Sequence, residues 1–391
     1  MSWVQESAFL FSAPSLQRLP LATLASVALA GLSAQPALAL ETRSYVMSSF
    51  WHAGYNQDGD CPDGLNLPIK EQYEKILADF GYGKEEIAEL IAGFVEGEEG
   101  GWDQDKVGQL MTMRGRVNGR PVSAYSHPAA VKDSELISYN GKFAYGFDLD
   151  GKGQNDKSFV DPETQQVGID HQLARVWGCT EGMRDKVNQG SATWLFFWTA
   201  AKEVAPAWTI TISGEDLSND GPITIKFGRA LEPTRYNGDG SPRSSMTFRA
   251  DPDPRVNNNI YPGQIREGVI SITKPGPYYN VQEPLLAPRF SFKNFNTRLK
   301  IMPDGTLEGI IGGYQPIEEI YWTCSSNNYN CEIFFFYDIP GHYHLLKKHA
   351  DADPDPVTGQ NWSISAVYSL KAVPAFVVEM PKTDNQRVSA R

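Results

Sequence analysis

The sequence has few cysteines and histidines, and it lacks the short motifs that mark several enzyme classes. It contains four Cys and six His. The absence of CxxC and CxxCH excludes a thioredoxin-type redox motif and covalent haem attachment. Gly-x-Ser-x-Gly, His-Glu-x-x-His and Gly-x-x-x-x-Gly-Lys-Ser/Thr are also absent, which excludes a nucleophile elbow, a zinc-protease helix and a phosphate-binding loop. No motif therefore identifies a reaction.

The first forty residues include a long run without charge. Residues 19–40 hold no charged side chain, and the run contains Ala37-Leu38-Ala39, a small-x-small pattern of the kind that signal peptidase recognises. We expect residues 1–39 to be a cleaved signal peptide and the mature protein to be periplasmic or secreted. Because the run is close to bilayer-spanning length, an uncleaved membrane anchor is the alternative. The mature chain has no other run of that kind, so it is predicted to lack a transmembrane segment.

The chain is acidic, with a formal net charge of −12. Loss of residues 1–39 leaves this charge unchanged, because Glu6 and Arg18 cancel. A surface of this sign repels polyanions, so nucleic acid is excluded as a partner. The same surface favours solubility and cation binding, and it gives no indication of an oligomeric state.

Glycine, proline and aromatic residues are abundant and indicate a β-rich protein. The chain has 35 Gly and 26 Pro, and 12% of its residues are aromatic. We predict an α+β fold, in which a helical N-terminal part precedes a mainly antiparallel β-sandwich or jelly-roll-like domain. The expected divisions are a signal peptide (1–39), a helical and loop-rich N-terminal part with acidic loops (40–205), a β-rich domain (206–380) and a flexible tail (381–391).

Local patterns support this division. After an extended, loop-rich opening at 41–67, apolar residues recur at helical spacing, and we predict helices at 68–80, 85–94, 107–113, 184–204 and 343–350. Alternating or continuous apolar runs predict strands at 208–212, 222–227, 246–249, 268–273, 289–295, 298–301, 306–311, 363–370 and 375–379. Pro303-Asp304-Gly305 lies between two apolar runs and predicts a hairpin turn.

The four cysteines are expected to form disulfides in an exported protein. Three pairings are possible. Cys324 and Cys331 flank the turn-rich Ser-Ser-Asn-Asn-Tyr-Asn, so a local bridge between them is the natural choice, and it leaves Cys61 with Cys179.

One acidic segment has the alternation that calcium sites use. In Phe147-Asp148-Leu149-Asp150-Gly151-Lys152-Gly153-Gln154-Asn155-Asp156, acidic oxygens two residues apart can converge on one ion where Gly allows a sharp turn. The segment is not an EF-hand, because Phe159 stands where the twelfth-position Glu belongs. We expect an irregular calcium site formed by Asp148, Asp150, Asn155 and Asp156, completed by Asp170 or Asp161. The alternative is a solvated turn without metal. A second acidic loop, Asn56–Gly64, would lie near the first if Cys61 pairs with Cys179.

The aromatic residues include candidates for a sugar-stacking surface. We select Tyr278, Tyr279, Tyr314 and Trp322, with Tyr321 beside them, as ligand-binding candidates. Packing within a large β domain is the competing explanation for each of them.

Two stretches resemble a set of exported bacterial proteins of unknown function. They are Gly168-Ile169-Asp170-His171-Gln172-Leu173 with Gly178-Cys179, and residues 355–361 with 372–376. The resemblance extends over most of the mature chain and implies export, but it supplies no site residues.

Two functions follow from these observations. The first is a non-catalytic exported protein, stabilised by disulfides and calcium, that binds a glycan or another envelope ligand. The alternative is an exported hydrolase or lyase acting on a polysaccharide or other polymer through carboxylates, or through His127, His171 and Tyr side chains.

Overall fold

β-Strands form most of the described chain. The computed structural model describes residues 40–94, 102–184, 202–281, 289–322, 329–335 and 337–380. Its strands are β1 (Glu41–His52), β2 (Gly115–Val117), β3 (Arg120–Val122), β4 (Phe159–Val160), β5 (Val167–Ile169), β6 (Pro206–Gly214), β7 (Gly221–Pro233), β8 (Met246–Arg249), β9 (Asn259–Arg266), β10 (Val269–Ile272), β11 (Gly276–Val281), β12 (Arg289–Ile301), β13 (Leu307–Pro316), β14 (Ala352–Pro354) and β15 (Asn361–Val378).

Helices are shorter and lie between or beside the strands. They are α1 (Ile69–Asp79), α2 (Lys84–Leu90), α3 (Gln104–Thr112), α4 (Gln172–Trp177), α5 (Pro254–Asn257), α6 (Ile317–Tyr321), α7 (Tyr329–Phe335) and α8 (Ile339–His349). Two 3₁₀ turns occur at Pro128–Ala130 and Glu181–Met183. Among the residues described, none of these helices combines the length and the hydrophobicity needed to cross a membrane.

Eight antiparallel strands form a closed barrel. Their order is β1-β6-β7-β9-β10-β12-β13-β15, and β15 pairs back with β1. Ser44 of β1, for example, lies opposite Thr211 of β6 on one side and Ala375 of β15 on the other. Closure leaves no free edge among these eight strands, because each has hydrogen-bonded partners on both sides.

Alternation of side chains explains why these segments form a closed sheet. Along β9, every second residue is buried and the residues between them are exposed. The inward side chains fill the barrel with aromatic rings: Phe50 stacks on Tyr368 at 5.0 Å and Tyr278 on Phe295 at 4.5 Å between ring centroids. Burying each such ring contributes about 1.5–3 kcal/mol.

The predicted fold class is wrong in both of its parts. The β-rich part is a closed barrel, not a sandwich or jelly roll, since its eight strands pair in one continuous ring that β1 and β15 close, whereas a sandwich has two separate sheets. Within residues 40–380 as described, no helical N-terminal domain precedes it, because β1, the first described element, is a barrel strand. Helices α1 to α3 instead form a satellite cluster beside the barrel that includes Ile333 of α7. Alternation alone could not distinguish these folds, because sandwiches and barrels share it.

Most local predictions agree with the structure. The strand predicted at 246–249 is β8, the helices predicted at 68–80, 85–94 and 107–113 correspond to α1, α2 and α3, and the helix at 343–350 lies within and just after α8. The predicted hairpin is the β12–β13 connection, in which Met302 N–H donates to Thr306 O at 2.8 Å. Local patterns did not predict β9, β11 or the short strands β2 to β5 and β14, and they divided β12 and β15 into two strands each. Residues 1–39, most of the predicted helix at 184–204, and the tail 381–391 lie outside the described residues.

The outer face of β13 and β15 carries the segment between residues 139 and 171. Ile310 and Val367, which point outward from these strands, pack with Ala53, Tyr145 and Phe147. This outer layer places the acidic segment against the barrel wall.

Candidate metal centre

The acidic segment folds back on itself so that its two ends meet. Asp170 N–H donates to Phe147 O at 2.8 Å, which places Asp148 and Asp170 side by side. Gly151 adopts a left-handed backbone, with φ at +67°, in the turn between them. At Gly168, with φ at +83°, a Cβ atom would lie 2.6 Å from the Gly153 backbone, so only glycine permits this approach.

Polar contacts fix the segment to the barrel. Asn294 Nδ2 of β12 donates to Leu149 O at 2.8 Å. Arg298 Nη2, on the same strand, donates to the buried Asp161 carboxylate at 2.6 Å. The backbone that carries Asp148 and Asp150 is therefore held in place by groups on a rigid strand.

Asp148, Asp150 and Asp170 form the acidic centre. One carboxylate oxygen from each lies within 4.8 Å of the others. Asp170 Oδ2 accepts hydrogen bonds from Leu149 N–H at 2.8 Å and Asp150 N–H at 3.2 Å, which fix its orientation. The Oδ1 atom of Asp148 is buried and has no hydrogen-bond partner. Asp150 is exposed and pairs with the exposed ammonium group of Lys152 at 3.1 Å.

Burial and repulsion between carboxylates raise pKa values at the acidic centre. Burial, with the nearby Asp150 and Asp148 charges, raises the pKa of Asp170 against the effect of its backbone hydrogen bonds. Burial also raises the pKa of Asp351 to about 6, and the Asp170 carboxylate adds to this shift. A cation bound among these groups would relieve the repulsion.

The structure brings together part of the predicted calcium site. Asp148, Asp150 and Asp170 meet as expected, whereas Asn155 and Asp156 are not in the group. Asn155 Oδ1 accepts from the backbone of Lys157 and Ser158 and so closes a local turn. Asp161, the other residue considered, is paired with Arg298.

The four aromatic ligand candidates lie in different environments. Tyr278 is 2% exposed and stacks on Phe295 inside the barrel, so its ring offers no face to a ligand. Tyr279 is the next residue on β11, and Trp322 follows α6 with its ring against Tyr321. Tyr314 alone of the four lies beside the acidic centre: besides burial, the charges of Asp170, Asp351, Asp150 and Asp148 raise its pKa.

The predicted disulfide between Cys61 and Cys179 is present. It is the covalent feature expected of a protein from an oxidising compartment. The bridge joins the second acidic loop to Cys179, two residues after the end of α4, but Asp60 of that loop accepts from Tyr139 OH at 3.0 Å and does not join the acidic centre. The other predicted pair includes Cys324, which lies outside the described residues.

The two histidines considered for hydrolysis, His127 and His171, lie in different environments. His127 is exposed, whereas His171 is fully buried with its Nε2 3.1 Å from His52 Nε2. His171 Nδ1 donates to Tyr145 O at 2.9 Å, so His52 must be the donor between the two rings. Burial lowers the pKa of His171 to about 3, which keeps the pair neutral.

Sequence reasoning missed Asp351 as a neighbour of the acidic centre. Asp351 lies before β14, far along the chain from Asp148, and Ser365 of β15 donates to it from both N–H and Oγ. Its proximity arises from barrel pairing, and no local pattern could have indicated it. No protein-family model, no curated protein and no solved structure matches the chain.

Proposed function

We propose that this chain is an exported binding protein that holds calcium at the acidic centre and uses the ion to bind a hydroxyl-rich ligand such as a glycan. The observation that carries the calcium proposal is the spacing of the three carboxylate oxygens within 4.8 Å. Calcium binds oxygen at about 2.3–2.6 Å, so two ligands on opposite sides of one ion are at most about 5 Å apart. Three oxygens at this spacing fit one ion.

Charge and solvent access favour the same proposal. The centre brings together three carboxylates, one of which carries the buried, unpartnered Asp148 Oδ1, and its cationic neighbour Lys152 is 77% exposed to solvent. Calcium takes six to eight oxygen ligands, and irregular loops suit it better than magnesium, which requires near-octahedral geometry.

The incomplete ligand set leaves room for an external ligand. Three carboxylates do not fill the coordination shell of calcium, so water or sugar hydroxyl groups would occupy the remaining positions. The half-buried ring of Tyr314 lies next to these carboxylates and offers an apolar face for a sugar ring. The glycan half of the proposal rests on this adjacency.

Isothermal titration calorimetry tests the calcium proposal. The wild type should bind one calcium ion with a dissociation constant of about 0.1–1 mM, the range of extracellular modules, and should bind magnesium more weakly. Asp150→Asn should weaken calcium binding at least about tenfold, because it removes one charged ligand. Asp156→Asn is the matched control: it makes the same charge change in the same segment but outside the centre, and it should leave the affinity unchanged. Equal effects of the two changes would contradict a site at the centre.

A glycan array read with calcium and then with EDTA tests the ligand proposal. We expect glycan binding that EDTA abolishes and that Tyr314→Ala weakens about five- to thirtyfold, since ring stacking and burial contribute about 1–2 kcal/mol. Calorimetry should show that Tyr314→Ala retains calcium binding. Glycan binding that is unaffected by EDTA would separate the ligand from the ion and overturn this half alone.

A further inference from the structure

A cavity of about 500 Å³ lies between α1 and residues 131–137, and it shares no lining residue with the acidic centre. Apolar side chains line its walls, namely Leu67, Ile76, Phe80, Val131, Leu136 and Ile137. This volume matches a small organic molecule, for which pockets of about 300–1,000 Å³ are usual.

Buried charged groups form one side of the cavity. Arg114 and Asp338 both contribute to the lining, and their side chains are 4% and 1% exposed. Arg114 Nη2 donates to Asp338 Oδ1 and, at 3.2 Å, to the buried Glu332 Oε1. Hydroxyl groups complete the network: Tyr73 OH and Tyr125 OH donate to Glu332 Oε2 at 2.5 and 3.0 Å.

One donor in this network is unused. Arg114 Nε is buried and has no hydrogen-bond partner, although the same guanidinium is fully engaged at Nη2. Burying an N–H group without an acceptor costs free energy, and an oxygen atom entering the cavity would remove that cost. Arg114, a residue of the cavity wall, thus carries a buried donor that no group of the described chain uses.

The charges around the cavity favour an uncharged ligand. Arg114 already faces two carboxyl groups, Glu332 and Asp338, so no unbalanced positive charge is present for an anion. The other charged lining residues are Lys75 and Lys132 against Asp79, Asp133 and Glu135, so the opening has no excess of positive charge that would attract an anion.

We propose that this cavity binds a small uncharged molecule with an apolar body and a carbonyl or hydroxyl oxygen that accepts a hydrogen bond from Arg114 Nε. The apolar walls hold the body, and the buried donor sets its orientation. The site is independent of calcium and does not rest on the glycan proposal.

Three naphthalene probes that differ in one group test the proposal by ligand-observed NMR titration of the full chain in EDTA. They are 2-acetonaphthone, which is neutral and carries a carbonyl oxygen, 2-ethylnaphthalene, which has no oxygen, and 2-naphthoate, which is anionic. We expect the ketone to bind about tenfold more tightly than either of the others, the scale of one buried hydrogen bond to a charged donor. Equal affinity for the ketone and the hydrocarbon, tighter binding of the anion, or no binding of any probe would overturn the proposal.

Two tryptophan substitutions on α1 localise the binding. Ile76→Trp places a large ring in the cavity and should abolish ketone binding, whereas Ala78→Trp, on the exposed side of the same helix, should leave it unchanged. Arg114→Lys removes Nε and should lower the affinity for the ketone to the affinity for the hydrocarbon. The probe comparison on the wild type tests the proposal even if this variant fails to fold. Retention of ketone binding by a folded Ile76→Trp protein would place the ligand elsewhere.

Discussion

The protonation state of Asp351 is expected to make calcium binding at the acidic centre depend on pH. Burial and the neighbouring Asp170 carboxylate raise its pKa from the ordinary 3.8 to about 6. Below that pH, the proton on Asp351 reduces the negative potential that attracts calcium. Calcium affinity should therefore rise between pH 5 and pH 7, and Asp351→Asn should flatten this rise, as measured by calorimetry at several pH values. An identical pH profile in the variant would show that Asp351 does not influence calcium binding.

The raised pKa of Asp351 also affects the stability of the metal-free protein, which should fall as pH rises, whereas calcium affinity should increase. A raised pKa means that the folded state holds the proton more tightly than the unfolded chain, so this stabilisation is present below pH 3.8 and is lost as pH rises through about 6. Relative to the wild type, Asp351→Asn should therefore gain on the order of 2 kcal/mol in free energy of unfolding between pH 4 and pH 7. Urea denaturation in EDTA measures this difference.

In both the acidic centre and the cavity, the sequence identified only those residues whose partners are close to them in the chain. Asp148 and Asp150 could be predicted, because alternation with glycine is visible in one segment. Asp170 could be added because it follows shortly after. Arg114 and Glu332 could not, since a single charge in a helical or turn pattern is typical of an exposed residue, and their pairing is decided by packing.

At the scale of elements, the Cys61–Cys179 bridge joins the second acidic loop to the end of α4, with 118 residues of sequence separation. Its sulfur atoms belong to a small cluster with Tyr139, Phe159 and Ile169, the last of which precedes Asp170. Cys61→Ser with Cys179→Ser should lower the free energy of unfolding by about 2–5 kcal/mol, chiefly because the unfolded chain regains freedom. Urea denaturation of the double variant checks this.

The disulfide is expected to stabilise the outer layer on β13 and β15, but calcium binding at the acidic centre should not depend on it. Asp170 keeps its hydrogen bonds to Leu149 and Asp150 without any help from the disulfide. Calcium should therefore still raise the melting temperature of the double variant. If the variant unfolds as the wild type does, with a change below about 0.5 kcal/mol, the bridge has no structural role.

Individual elements were predictable where one periodicity dominates. The strand at 208–212 and the hairpin at Pro303-Asp304-Gly305 show clear alternation and turn chemistry, and both are present. β11 was missed because Gly276-Pro277 at its start is typical of a turn, although the strand pairs with β12 through Tyr278. Local signals of this kind are weaker than the tertiary pairing that finally selects the strand.

At the scale of the whole molecule, barrel closure decides both the fold and the site. The pairing of β1 with β15 joins the two ends of the described chain, and no local pattern encodes a contact over that distance. The same closure sets β13 beside β15, which places Tyr314 opposite Ser365, the residue that holds Asp351. The sequence therefore indicated the three carboxylates of the acidic centre, whereas barrel pairing brings up their neighbours Tyr314 and Asp351.

A crystal structure grown in millimolar calcium chloride tests the central claim most directly. The account predicts an anomalous difference peak with oxygen atoms of Asp148, Asp150 and Asp170 each about 2.3–2.6 Å from the ion, and Asp148 Oδ1 among them. Crystals of Asp150→Asn grown in the same way should show a weaker peak or none. A wild-type map in which these three carboxylates hold no ion at saturating calcium would contradict the proposed function.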